Sequence, residues 1–237
     1  MERIEHTLAP SPQLPTVCVV RLQDRIAAYG GLSVLLLGGP DDLAGAASRV
    51  RSVIRNCRSF DYLDETDIAD AEALGITALR SDRGAGAFVD ERVWLFGEDA
   101  FDPFLNGMSP TESTYLASDR DALRRALEST YAMTDYRVPA CGSFSPCCGH
   151  MGVELDFMRY CLERFEAGEE QFAEVARTFF GEHLREWGVL FAVVLRDKAR
   201  HPAMRYLSYA LDKFIASESV TFRHSPPSLC VQRAMLD

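Results

Sequence analysis

Long apolar runs are missing from this chain. The longest, LSVLLLGG from Leu32 and WGVLFAVVL from Trp187, reach about half of the roughly 20 residues that a membrane-spanning helix needs. The N-terminal MERIEHTLAPSPQLP mixes charges of both signs with three prolines, where a secretory signal would have a basic start and an apolar stretch. Basic charge is also short, with 25 Lys and Arg against 35 Asp and Glu and a net charge of -10. Such a surface repels phosphate backbones and anionic lipid heads, which argues against nucleic acid and membrane partners. A basic peptide suits it better. The seven cysteines, spread from Cys18 to Cys230, are neither dense nor even enough for a disulfide scaffold. The expected compartment is the cytoplasm.

Strand patterns and repeats are lacking as well. No alternating segments with hairpin turns occur, and no solenoid period repeats. GAGAF (Gly84 to Phe88) lacks the Lys-Ser/Thr of a Walker loop and the third glycine of a dinucleotide fingerprint. It reads as a glycine-rich turn leading into a short apolar helix that ends at Gly97.

What is present is helical periodicity. Apolar residues dominate Arg21 to Leu37, and Gly38-Gly39-Pro40 stops that helix. Leu43, Val50, Val53 and Ile54 mark a second helix, with Arg49, Arg51 and Arg55 between them. The carboxylate-dense FDYLDETDIADAEALG (Phe60 to Gly75) reads as a solvated helix face, or as an acidic rim near a cationic ligand. Ser109, Pro110 and Glu112 have the spacing of a capping box, and Ser118 and Asp121 repeat it before a helix carrying Leu123, Leu127 and Tyr131. Met151, Leu155, Met158, Leu162 and Phe165 form one buried stripe; Leu184, Trp187, Leu190, Phe191 and Val194 form another. His201-Pro202 breaks the run before a last stripe of Met204, Leu207, Leu211 and Phe214. The expected fold is all-α: a loose lead-in over 1–16, a single helical-bundle domain over 17–218 with a hinge near 136–149, and an irregular tail over 219–237.

Four blocks in order resemble the TorD-like cytoplasmic chaperones of molybdenum-cofactor oxidoreductases (the TorD, DmsD and NarJ relatives). They are RVWLFGED with Trp94, Leu95, Phe96 and Gly97; PTESTYL from Pro110 to Leu116; GHMGVELDFM from Gly149 to Met158; and RHPAMRYLSYALDKF. The resemblance covers roughly Arg21 to Ser217. It implies an all-helical fold, no catalysis and no cofactor. It also implies binding of a twin-arginine signal peptide, or the apo form of a molybdenum or tungsten oxidoreductase subunit, which is thereby kept from export until its cofactor is in place. Monomer and domain-swapped dimer are both compatible with a hinged bundle. One departure stands out: the family places an acid before its histidine, and here Gly149 precedes His150.

Two guanidiniums followed by an apolar run require carboxylates beside an apolar groove. Trp94, Leu95 and Phe96 beside Glu98, Asp99 and Asp102 offer both surfaces in one stretch. Core packing is the plainer reading of Trp94 and Phe96, and a capping role that of Glu112. The groove would lie between the Trp94 helix, the Pro110 block and the His150 hinge. Ser113 and Tyr115 join it through the resemblance alone. His150 is expected to open a helix facing the peptide, with Glu154 one turn on in a structural role. The rival reading is a metal- or redox-responsive loop built from Cys141, Cys147, Cys148 and His150, although adjacent cysteines and Cys-x-His make a poor zinc knuckle. Cys161, beside the buried stripe, is expected to be inert.

Overall fold

A computed structural model describes residues 20–57, 63–96, 108–116, 119–140 and 147–224. The lead-in, the tail from 225, and Cys18, Glu98, Asp99, Asp102, Ser118, Cys141 and Cys230 lie outside these residues. Among them no strand is present, and the chain is a bundle of α-helices: α1 (Leu22–Leu37), α2 (Pro40–Ile54), α3 (Glu65–Leu79), α4 (Asp82–Phe96), the single turn α5 (Glu112–Tyr115), α6 (Arg120–Met133), α7 (Met151–Glu166), α8 (Gln171–Phe179), α9 (Arg185–Lys198) and α10 (Pro202–His224). A π-helical turn, Phe180–Leu184, joins α8 to α9.

α1 packs along α7 and α2, while α10 lies on α9 and α3. The α7 stripe is as expected, with Met151, Leu155, Met158 and Leu162 fully buried and Phe165 at the margin. Cys161 is buried too, and burial pushes its thiol up to about 12. α10 starts after His201 with Pro202 in its first turn, and the His201 imidazole accepts a hydrogen bond from Ala203 N (3.2 Å). It continues to His224, past the expected end at 218, and it is enclosed on nearly every side from Ala203 to Glu218.

The enclosure brings charge into the core. Glu218 accepts from the Arg25 guanidinium at 2.7 and 2.8 Å and from the Tyr29 hydroxyl at 2.8 Å. Asp212 pairs with Arg196 (3.2 Å) and Lys213 with Glu65 (3.3 Å). On α3 the solvated-face reading holds for Asp67 and Asp70. Glu72 turns inward and accepts from Arg51 (2.8 Å) and Arg55 (2.7 Å) of α2.

GAGAF is not a turn. α4 begins at Asp82 and runs through both glycines. Ser81 caps it by accepting from Gly84 N (3.1 Å), and Ala85, Phe88 and Leu95 form a buried stripe. Those contacts outweigh the roughly 1 kcal/mol that each helical glycine costs relative to alanine. Gly84 is needed for close approach, since a Cβ there would fall 2.0 Å from the Ala78 carbonyl oxygen. Gly86 has nothing within 4 Å. Gly86→Ala is therefore expected to stabilise the protein by about 0.5–1 kcal/mol and Gly84→Ala to destabilise it. Urea unfolding of the two variants checks the contrast, and equal effects would return the segment to a turn.

Candidate functional site

The Pro110 block and the His150 hinge meet as two short extended segments. Glu112 N donates to Gly149 O (3.0 Å) and Met151 N donates to Pro110 O (2.8 Å), around an isolated antiparallel bridge between Thr111 and His150. This replaces the expected capping box. Ser109 Oγ bonds to Thr111 Oγ1 (2.7 Å), Thr111 makes no side-chain cap to α5, and the main chain of 110–112 is committed to the hinge. The next helix is capped by Asp119, which accepts from Asp121 N (2.9 Å) and Ala122 N (3.2 Å). The Tyr131 hydroxyl of α6 donates to Cys148 O (2.8 Å) and holds the hinge from the other side.

His150 does open α7, accepting from Gly152 N through Nδ1 (3.0 Å). It is 2% exposed, so it faces the interior and not a peptide in solvent. Burial, with Arg92 nearby, pushes its pKa down to about 3, and the neutral ring keeps Nδ1 as the cap acceptor.

Beneath the bridge lie two buried carboxyl groups. Both oxygens of Glu112 lie against His183 Nδ1 (3.1 and 3.0 Å), so this nitrogen carries the N–H. Glu154 Oε2 accepts from the Trp187 indole (3.0 Å), while no protein donor reaches its Oε1. Burial and the Glu112 carboxylate hold Glu154 well above the usual carboxyl range. Glu154 is thereby biased toward its protonated form, with Oε2 held by the indole. Gly149 closes over this pair: a Cβ there would lie 3.2 Å from Leu127 Cδ1 and 3.9 Å from Glu154 Oε1. An aspartate at 149 would bring a third carboxyl next to Glu112 and Glu154.

Aromatic rings wall the site. Phe96 contacts His150 edge-on (6.5 Å) and Phe191 (5.9 Å), and Tyr115 lies over Trp187 (5.6 Å) and beside Phe191 (6.1 Å). Leu95 is core, Pro110 contributes through its carbonyl, and Ser113 is half-buried on α5. Trp94 points elsewhere. It is 39% exposed, with the Arg200 guanidinium 4.4 Å over its ring.

Glu91 of α4 also holds the link between α9 and α10, accepting from Arg200 N (2.5 Å) and His201 N (2.6 Å). α4 and α9 leave large apolar side chains in solvent, Val93 and Trp94 on α4, Leu190 and Val193 on α9. Leu190 was expected in the core. The buried line runs Leu184, Trp187, Phe191, Leu195 instead, and Val194 is only half-buried. Asp90 and Asp197, exposed one turn from Trp94 and Val193, border these residues.

Of the cysteine loop, Cys147, Cys148 and His150 are described and Cys141 is not. Among the described residues, no group of three His, Cys, Asp or Glu side chains is placed to hold a metal ion. Cys147 and Cys148 are free thiols, and partial desolvation pushes Cys147 up to about 11, away from the thiolate that redox chemistry needs.

A family model described as nitrate reductase delta subunit matches residues 83–193, from the first turn of α4 to Val193. The match takes in every described residue of the carboxyl and aromatic cluster. The match supports assigning the chain to the TorD-like chaperone family. This is a family of molybdoenzyme maturation chaperones, and the all-α bundle accords with it. No curated protein and no solved structure matches the chain. Among its described residues no helix is long and apolar enough to cross a membrane.

His183 and Phe191 were missing from the expected site, and Trp187 had been assigned to packing alone. A signal for Trp187 was present, because a buried indole N–H requires an acceptor.

Two substitutions test this cluster. Trp187→Phe keeps the volume but strips Glu154 Oε2 of its donor, and a loss of about 1–3 kcal/mol is expected in denaturant unfolding. Glu154 binds its proton more tightly folded than unfolded. The stability it contributes is thus full below the ordinary carboxyl value of 4.5 and falls as pH rises toward the folded value. Glu154→Gln keeps a donor toward Glu112 and cannot ionise. Melting curves from about pH 4 to about pH 9 should show the native protein losing ground to this variant; parallel curves would mean that Glu154 is ionised in the fold.

Proposed function

We propose that this chaperone binds, in the cytoplasm, the twin-arginine signal peptide of a molybdenum- or tungsten-cofactor oxidoreductase subunit, or the apo form of that subunit. It thereby delays export until the cofactor is inserted. Binding is reversible and no bond is made or broken. The observation that carries the reading is the pair of apolar helix faces, Val93 and Trp94 with Leu190 and Val193, each bordered by a carboxylate, Asp90 or Asp197. Exposed apolar surface of this kind marks an interaction site. It suits the hydrophobic run of a signal peptide, with the carboxylates available to its guanidiniums.

The groove expected between the Trp94 helix, the Pro110 block and the His150 hinge becomes, in this reading, two layers. Phe96, Tyr115, His150, Glu112 and Glu154 form an inner support, and Trp94 with Leu190 forms the contact surface. Leu95, Pro110 and Ser113 hold the support in place. The hinge over 136–149 is where the block and α7 would separate if the client enters more deeply.

Calorimetric titration with a twin-arginine signal peptide tests the proposal. Binding with Kd on the order of 1 μM is expected, weakened about tenfold when both arginines become alanine and again in Trp94→Ala or Leu190→Asn. Equal binding of both peptides would remove the carboxylates from the mechanism. Unchanged binding by both variants would move the site off this face.

A further inference from the structure

On the far side of the cluster, α8 and α9 are joined by the π turn, and the last turns of α10 pack against that junction. A cavity of about 420 Å³ opens there. Arg177, Arg185 and Arg223 line it, over a floor of Phe180 and Phe222. Among the described residues no carboxylate lines it, although the chain carries a net charge of -10.

The π turn accounts for the grouping. Residues eight apart on a regular α-helix drift by about 80° around the axis, which would turn Arg177 and Arg185 toward different surroundings. The wider i→i+5 turn takes up part of that drift, and both guanidiniums line one concavity. Gly181 lies midway between them on the same wall, and a Cβ there would meet nothing within 4 Å. The space between the arginines is therefore open.

The floor is fixed and the walls are free to move. Phe222 has the Arg25 guanidinium over its ring at 4.6 Å and Phe180 stacked against it at 4.9 Å. These two contacts hold the Phe222 ring in place. Ser219 already donates to the Ile215 carbonyl (2.8 Å), so the guanidiniums are the donors. Arg177 bonds to Glu174, and Arg185 to Glu186 at 2.9 Å. All four side chains are substantially exposed. Such surface pairs are weak and yield to an anion that can take bidentate bonds from more than one guanidinium.

We propose that this pocket binds a small organic phosphate carrying more than one phosphoryl group, held by Arg177, Arg185 and Arg223 above the Phe180–Phe222 floor. Its volume falls in the range of about 300–1,000 Å³ typical of small-molecule sites. The shared chemistry is the phosphoryl group. The site is separate from the apolar faces of α4 and α9 and does not depend on the signal-peptide reading.

The probe is inorganic pyrophosphate, titrated by calorimetry into the full chain at about 0.15 M salt, where loose ion atmosphere is screened. Saturable binding with Kd on the order of 0.1 mM is expected. Arg177→Gln and Arg185→Gln should each weaken it by about tenfold, and Gly181→Leu should abolish it by filling the gap. Arg49→Gln, on an exposed arginine of α2, should leave it unchanged. The two arginine variants alter only surface side chains, so they remain informative if Gly181→Leu fails to fold. Absence of saturable binding, or binding equal in all variants, would overturn the proposal. So would a chain that takes poly-glutamate but not pyrophosphate.

Discussion

The bundle is organised around a helix that has no solvent side for most of its length. α10 is enclosed from Ala203 to Glu218 except at Arg205, yet it carries Asp212, Lys213 and Glu218. Isolated charges in such a place cost several kcal/mol each even after relaxation, so each must meet an opposite charge supplied by another helix. Arg196 comes from α9, Glu65 from α3 and Arg25 from α1. Replacing these pairs by apolar residues need not destabilise the protein. Each pair ties α10 to a different helix, α1, α9 or α3.

The carboxyl pair under the hinge follows the same rule by a different route. Glu112 finds His183, but among the described residues no cation pairs with Glu154, whose burial favours the protonated form. In that form a proton takes the place of a basic side chain. These bonds tie α5 to the π turn and α7 to α9 at the point where the main chain of 110–112 crosses the hinge. The family match spans this whole cluster.

Much of this was legible before the structure. The α7 stripe, the helix opened by His150, the break at His201-Pro202 and the all-α class follow from spacing and punctuation, which are local properties. What was not legible depended on distant partners. Ser109, Pro110 and Glu112 have the spacing of a capping box, and only the presence of Gly149 and Met151 across the chain turns that segment into a bridge. GAGAF looks like a turn until Ser81 and the Phe88 stripe are weighed against its glycines. For Leu190 the periodicity is ambiguous, because Trp187-Leu190-Val194 and Trp187-Phe191-Leu195 are equally helical lines. Neighbouring helices decide between them. Glu98, Asp99 and Cys141 lie outside the described residues.

The Arg25–Glu218 pair has a consequence for biosynthesis. Its partners are 193 residues apart, so α1 emerges from the ribosome long before the carboxylate that must neutralise it. At about 5–20 residues per second the delay is on the order of ten to forty seconds. During that interval α1 can settle on α2, but its guanidinium has no buried counter-ion and the bundle cannot close around it. The core around Arg25 is therefore completed only once α10 has been made.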